Sequence, residues 1–301
     1  MIGPRALNQA SVTAAMGQRV ARFGGGLARF VRTQPLGTFG LVVCILVIVV
    51  GLIGPWIDRY EPDLATPADR LQGPNATHWF GTDHLGRDLY SRIVAGARIS
   101  VYVAFFSIGI GTTAGYLVGI FSAYIGGKTD LVIQRFIDAM QAFPAILTAL
   151  IIVSALGAGL DKVIIAIAFS LMASAVRISR GVVLSVKENV YVDASRVIGA
   201  SPLRIMLRHI LPNAMAPYLI LASVALGGAI LTEASLSFLG LGVPPPAASW
   251  GGELSGNASS FMLSNPWMAI FPGVAIMVVV LGFNLFGDAL RDVWDPRLRG
   301  R

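Results

Sequence analysis

Charge is scarce in this chain. Asp, Glu, Lys and Arg make up 13% of its 301 residues, about half the share of a soluble domain. The shortage is concentrated in long stretches with no charged side chain, while 55% of all residues are apolar. Cysteine is almost absent. The single Cys44 excludes an internal disulfide and reads as a small packing residue inside the first apolar run. Histidine is nearly as rare: His78, His84 and His209 are dispersed. With no HExxH and no Cys/His cluster, no metal site is expected. Nucleophile elbows are missing too. Gly127-Lys128-Thr129 copies the tail of a phosphate loop, but Ser122 stands where its first glycine belongs, and no βαβ pattern surrounds it. It reads as a short turn between spans. The chain is therefore expected to be no enzyme and to hold no cofactor of its own.

What is present is a series of apolar runs. In hydrocarbon only helices or closed barrels satisfy the backbone. Barrel strands would alternate in short segments, and these runs are continuous, so the fold expected is all-α. Uncharged stretches of 25, 29, 22, 24 and 34 residues follow Arg32, Arg98, Asp138, Arg208 and Glu253. A spanning helix needs roughly 20 mostly apolar residues, so these five read as spans. A sixth candidate, Val163 to Val176, has only 14 residues between Lys162 and Arg177. It reaches full length if Lys162, Arg177 and Arg180 snorkel.

Charge asymmetry argues for the sixth span. With six, 17 of the 23 Lys and Arg residues fall on one side, and cytoplasmic loops carry such an excess. Without it, the basic segment Arg177 to Arg208 would lie outside. Six spans with both termini in the cytoplasm follow. The expected organisation is a cytoplasmic tail at 1–34, a first helix at 35–57, an external loop at 58–97, a helical core at 98–288 with a cytoplasmic loop at 185–213, and a cytoplasmic tail at 289–301. The same bias accounts for the net charge of +7 without nucleic acid as a partner. The arginine-rich first 32 residues imitate a transit peptide but read as the cytoplasmic tail of an uncleaved first span.

Two external segments are distinctive. One contains Gly81-Thr82-Asp83 and Gly86-Arg87-Asp88. It reads either as a docking surface for a partner or as a structured cap in which Arg87 pairs with Asp83 or Asp88. The other, Gly242 to Pro266, carries the stiff Pro244-Pro245-Pro246, with Trp250 and Trp267 suited to a membrane interface.

The most informative stretch is Tyr191 to Pro212. Gly199 is a natural stop for one helix. Ser201 is an N-cap and Pro202 a first-turn proline for a second, with Pro212 marking its end. Leu203, Met206, Leu207 and Ile210 recur at i, i+3, i+4 and i+7 as one apolar stripe, with Arg204 and Arg208 off it. Ala194 and Ser195 are small enough for close approach by another surface. A bare connector needs only a few residues; this one is built to touch a partner or the membrane surface.

Asp193-Ala194-Ser195, then Gly199, then Leu211-Pro212 resembles the "EAA" loop of permeases of ATP-binding cassette importers. The family's first position is usually Glu, here Asp193, and its third is Ala, here Ser195. Gly81 to Asp88, Glu233 to Gly242, Asn284 to Asp292 and Asp295-Pro296-Arg297 resemble signatures of the peptide branch in the right order. The resemblance is to the C-type permease of dipeptide, oligopeptide, nickel or glutathione systems. It implies a type I importer permease fold with six transmembrane helices in the cytoplasmic (inner) membrane of a bacterium. It implies a second homologous permease, two ATPase subunits that bind ATP and Mg, membrane lipid and an external solute-binding protein. Asp193, Ala194, Ser195, Gly199, Ala200, Ser201, Pro202, Leu203, Arg204 and Leu207 would couple to an ATPase. Gly81, Thr82, Asp83, Gly86, Arg87 and Asp88 would lie at the external docking site.

Asp138 in the third span and Glu233 in the fifth are candidates for pathway chemistry or for structural hydrogen bonds. A secondary transporter would show internal symmetry, and a membrane enzyme clustered catalytic groups. Neither pattern is visible.

Overall fold

The computed structural model describes residues 30–255, 260–261 and 263–294. The basic tail before residue 30 and the Asp295-Pro296-Arg297 triplet lie outside these. Among the described residues the regular structure is helical, apart from an isolated antiparallel bridge between Thr82 and Asp88.

Helix α1 (Pro35–Ile57) opens on Pro35, whose fixed φ suits a first turn. Its faces are inverted relative to a soluble helix. Gly37, Gly40, Gly51 and Gly54 are buried, while Leu36, Val42, Ile45, Leu46, Val49 and Leu52 are exposed. In a bilayer lipid covers the large apolar groups, and small residues let backbones meet. Next come α2 (Leu89–Ile125), α3 (Gly127–Gln141), α4 (Ala145–Leu156) and α5 (Leu160–Lys187). The short α6 (Val190–Val197) precedes α7 (Pro202–Ile205), which passes through a π-helical turn, Met206–Ile210, into α8 (Leu211–Phe238). The one-turn α9 (Trp250–Glu253) and the long α10 (Trp267–Trp294) complete the chain.

Helices α2 and α5 are in backbone contact. A Cβ placed on Gly111 would lie 2.3 Å from the Ala168 carbonyl oxygen, on Gly115 2.4 Å from that of Met172, and on Gly119 2.4 Å from that of Val176. Both series advance by four residues in the same direction, so α2 and α5 run parallel. The pairs Gly51–Arg98 and Gly54–Val94 make α1 antiparallel to α2, and Gly40–Gly282 and Gly37–Ala289 do the same for α1 and α10. Ser100–Glu233 and Thr113–Tyr218 set α8 antiparallel to α2. Parallel neighbours need a return crossing between them, and α3 with α4 supplies it. The chain thus crosses six times, and the start of α1 and the end of α10 share one end of the bundle.

Among the described residues five helices are individually long and apolar enough to cross a membrane, and the bent pair α3–α4, turned by 88°, makes a sixth when taken as one span. The order of certainty read from the sequence is reversed here. The short Val163–Val176 run belongs to a 28-residue helix, because Lys162, Arg177 and Arg180 continue it into the interfaces. The run after Asp138 is the broken one. Pro144 lacks an N–H and disfavours a helical Phe143, and α3 carries Asp130, Arg135 and Asp138. Irregular backbone at such depth needs protein or water beside it. A cavity of about 300 Å³ lined by Gln141, Thr148, Ser170 and Ser174 flanks the break.

Other boundaries also move. Helix α2 begins at Leu89, capped by Asp88, whose carboxylate accepts from the Ser91 N–H at 2.9 Å. The external loop therefore ends at 88 rather than 97, and the core starts before 98. Lys128 and Thr129 lie in the first turn of α3, not in a connecting turn. Pro212 does not end its helix: the widened π turn accommodates the missing N–H, and the helix runs from Pro202 to Phe238. Helix α10 continues past 288 to Trp294.

Gly115→Val is expected to abolish monodisperse protein, because its side chain would collide with the Met172 carbonyl. Gly109, with open space around it, should accept Ala without change. Size-exclusion profiles of detergent-extracted protein check both.

Candidate functional site

The α6–α7 hairpin is closed by its backbone. The Gly199 N–H donates to the Arg196 carbonyl at 2.9 Å and the Ala200 N–H to the Ser195 carbonyl at 3.0 Å. This paired pattern, with Gly199 at φ +80°, is the Schellman stop. The Arg204 N–H then donates to Ser201 Oγ at 3.4 Å, with Pro202 in the first turn. Buried Val192, Ile205 and Ile210 pack with Tyr116, Val183 and Val186 of the bundle. Lys187 ties the entry down by donating to the carbonyls of Ala123 (3.1 Å) and Tyr124 (3.0 Å) at the end of α2, where cations are favoured.

Of the ten candidate residues, Ser195 is buried and Ala200 half-buried. Asp193, Ala194, Gly199, Ser201, Pro202, Leu203, Arg204 and Leu207 are exposed. The expected stripe splits. Ile210 is buried and Met206 half-buried, but Leu203 and Leu207 are 61% and 57% exposed, and Ile205 takes the inner position. Val197 and Ile198, at 87% and 84%, are barer still. Large apolar groups left open beside the basic Arg196, Arg204 and Arg208 mark an interaction surface. Asp193 pairs with Arg196 at 2.7 Å, an exposed pair of little energetic weight.

At the opposite end of the bundle the six residues expected to dock a partner are all buried. They hold the cap together, as in the paired-cap reading of the sequence, with Arg87 bonded to Asp83. The Asp83 carboxylate accepts from the N–H groups of Leu85 (2.7 Å) and Arg87 (2.9 Å) and from Arg87 Nε (2.6 Å). Asp88 caps α2 and meets His78 Nδ1 at 2.9 Å. Gly86, at φ +80°, passes so close to Thr66 that a Cβ would sit 1.9 Å from its carbonyl oxygen. Tyr60, Leu64, Trp79 and Leu85 are the large apolar side chains that the cap exposes among the described residues.

Arg92, not singled out from sequence, joins three segments. Its Nε donates to Glu253 at 2.8 Å, and its Nη1 to the Pro62 carbonyl at 2.8 Å and Asp63 at 3.1 Å. Both terminal nitrogens reach the Pro246 carbonyl at 3.3 Å. Trp250 is buried and donates to the Ile93 carbonyl at 2.9 Å, and Trp267 donates to the Thr82 carbonyl at 3.4 Å. Both tryptophans pin the cap rather than serve as free interface anchors. Near it, burial and then the neighbouring Asp88 push the Asp58 carboxyl up to about 6.

Glu233 is fully buried, and its two oxygens accept from Ser100 (3.1 Å) on α2 and Ser237 (2.8 Å). That is a helix-to-helix bond, the structural alternative. Asp138 lies on α3 rather than in an apolar span. It is partly exposed and pairs with Arg177 (2.8 Å) and Arg135 (3.3 Å). Asp130, missed in the sequence, holds α3 more firmly. It accepts from Ser122 Oγ at 2.5 Å and twice from Arg180, at 2.7 and 3.0 Å. The only sequence signal for Asp130 and Arg92 was an isolated charge just inside a helix end.

Comparison with known proteins agrees with this architecture. Residues 115–300 match the family described as "Binding-protein-dependent transport system inner membrane component". The chain is 41% identical over 268 residues to a dipeptide transport system permease protein of Alkalihalophilus pseudofirmus, covering 89% of this chain and 88% of the relative. It is 36% identical over 285 residues to a probable D,D-dipeptide transport system permease protein of Escherichia coli, covering 94% and 95%. It is 41% identical over 270 residues to a glutathione transport system permease protein of Escherichia coli, covering 89% of each.

Arg92→Met is expected to cost about 3 kcal/mol of unfolding free energy by stranding Glu253, and adding Glu253→Gln should recover part of it; denaturant titration measures both. For Asp58 the folded carboxyl binds its proton more tightly than the unfolded one. Its destabilising charge is thus fully felt above pH 6 and is relieved progressively as pH falls from about 6 to 3.8. Asp58→Asn should raise the melting temperature most at pH 7.5, by roughly half as much at pH 5, and hardly at all below the ordinary carboxyl value of 3.8.

Proposed function

The chain belongs to the family of inner-membrane components of binding-protein-dependent transport systems, and from that premise we propose that it is the permease subunit of an ATP-driven peptide importer. The observation that carries this reading is the capped hairpin of α6 and α7 with its open apolar ridge. It stands at the bundle end that holds both the start of α1 and the end of α10. That end carries the Lys/Arg excess, so it is assigned to the cytoplasm, where an ATPase can reach it.

In this reading the chain hydrolyses nothing. Two ATPase subunits bind ATP and Mg and close on each other. One of them receives Asp193 to Arg208 in a groove. Its movement passes through the π turn into α8, which shifts against the α2–α5 seam that Lys187 holds together. A second, homologous permease completes the pathway. An external binding protein approaches the other end, meeting Leu64, Trp79 and Leu85 on a cap that the six buried residues keep rigid.

Peptides are the substrate class that the names of the relatives support. The dipeptide and glutathione relatives are equally similar, at 41% identity. Glutathione, itself a tripeptide, is therefore the second reading. Competition between a labelled dipeptide and glutathione for uptake through the complex with its binding protein separates the two.

Asp193→Arg and Gly199→Val are expected to leave the complex assembled while uptake per ATP hydrolysed falls about tenfold. The first reverses the charge offered to the ATPase. The second forces a branched residue into a left-handed turn. Proteoliposome assays of uptake and phosphate release check this. Uptake by the chain alone, driven by an ion gradient without nucleotide, would overturn the assignment.

A further inference from the structure

Helix α6 presents Tyr191 and Ser195, one turn apart, to the helix that continues into the membrane. That helix answers with His209 and Asn213, also one turn apart. Ser195 Oγ lies 3.2 Å from His209 Nε2, and the rings of Tyr191 and His209 are 5.8 Å apart. The Asn213 side-chain amide donates to the His209 carbonyl at 2.6 Å and to the Tyr191 hydroxyl at 3.4 Å.

The direction of the central bond follows from proton counting. Ser195 Oγ is also 2.8 Å from the Tyr191 carbonyl oxygen. A carbonyl only accepts, so the one hydroxyl proton of Ser195 is committed there. The remaining bond must be donated by the ring, from His209 Nε2–H into a lone pair of Ser195. His209 itself sits in the π turn Met206–Ile210, a local insertion that is frequent at functional sites.

We infer that His209 is a positioning residue: its bond to Ser195 locks α6 to the helix entering the membrane, so that a push on α6 turns the span instead of being lost at Gly199. This rests on the reading of Asp193 to Arg208 as the coupling element. Apolar packing of Val192 on Ile205 and Ile210 holds the helices together but is non-directional. A hydrogen bond fixes their rotation. Without it only the longer Asn213–Tyr191 bond, one turn away, still opposes a pivot of α6 about the left-handed glycine.

The test uses the assembled transporter in proteoliposomes, with the peptide that the wild-type complex imports as labelled probe. Four variants are compared: His209→Leu, Ser195→Ala, the double variant and His209→Gln, whose amide nitrogen can replace the Nε2 donor. The readout is ATP hydrolysed per peptide imported. Each of the first two should raise it about threefold, the scale of one lost hydrogen bond. The double variant should match either single one, and His209→Gln should stay near wild type. An unchanged ratio in Ser195→Ala or His209→Leu, or effects that add, overturns the inference. If His209→Leu does not assemble, Ser195→Ala decides, since it removes only a hydroxyl. Asp193→Arg and Gly199→Val run alongside. If they uncouple and the clasp variants do not, only the clasp fails. If they too leave the ratio unchanged, the coupling assignment itself fails.

Discussion

Helices α2 and α5 touch backbone to backbone along Gly111, Gly115 and Gly119, facing Ala168, Met172 and Val176. In a bilayer no hydrophobic force draws helices together, so close packing of small residues takes that role. This seam does more than stabilise. Because the two helices run parallel, the chain between them must return across the membrane. It does so through a helix broken at Pro144, with its charges kept on the α3 half. Asp130 and Arg180 clamp that half to α5. The seam thereby sets which loops fall at which end.

The two ends then solve opposite problems. On the cap, charges turn inward: Asp83 with Arg87, Asp88 with His78, Arg92 with Glu253. Breaking such buried pairs is costly, so the cap is firmly held over the ends of α1, α2 and α10 that lie opposite the hairpin. At the other end, apolar groups turn outward on the hairpin: Val197, Ile198, Leu203 and Leu207. Surface of that kind is kept open for a partner.

Between these ends the bundle has two mechanical connections to the hairpin, Lys187 at its entry and the continuous α7–α8 helix at its exit. A partner that moves the hairpin therefore moves α8 against the α2–α5 seam that Lys187 holds together. Glu233, bonded to Ser100 on α2, ties the far part of α8 back to the seam.

The helical class, the number of crossings and the hairpin stop at Gly199 were legible in the sequence, because each depends on local physics: run length, charge bias and the φ freedom of glycine. The same local rules missed the break before Pro144 and left Val163–Val176 short, since a charged boundary looks alike whether a helix continues through it or bends at a proline. They also left Gly81 to Asp88 open between a docking surface and a paired cap. Charge and turn chemistry are the same for a docking loop and a buried knot, and only packing against Thr66, Gln72 and Trp267 decides. Leu203, Met206, Leu207 and Ile210 were read as one stripe on an α-helical period, but a π turn intervenes and leaves only Leu203 and Leu207 exposed. The partners of Arg92, Asp130 and His209 lie 161, 50 and 14 residues away. Sequence by itself determined what each segment is. Tertiary structure alone decided what each segment faces, because facing is set by contacts between residues far apart in the chain.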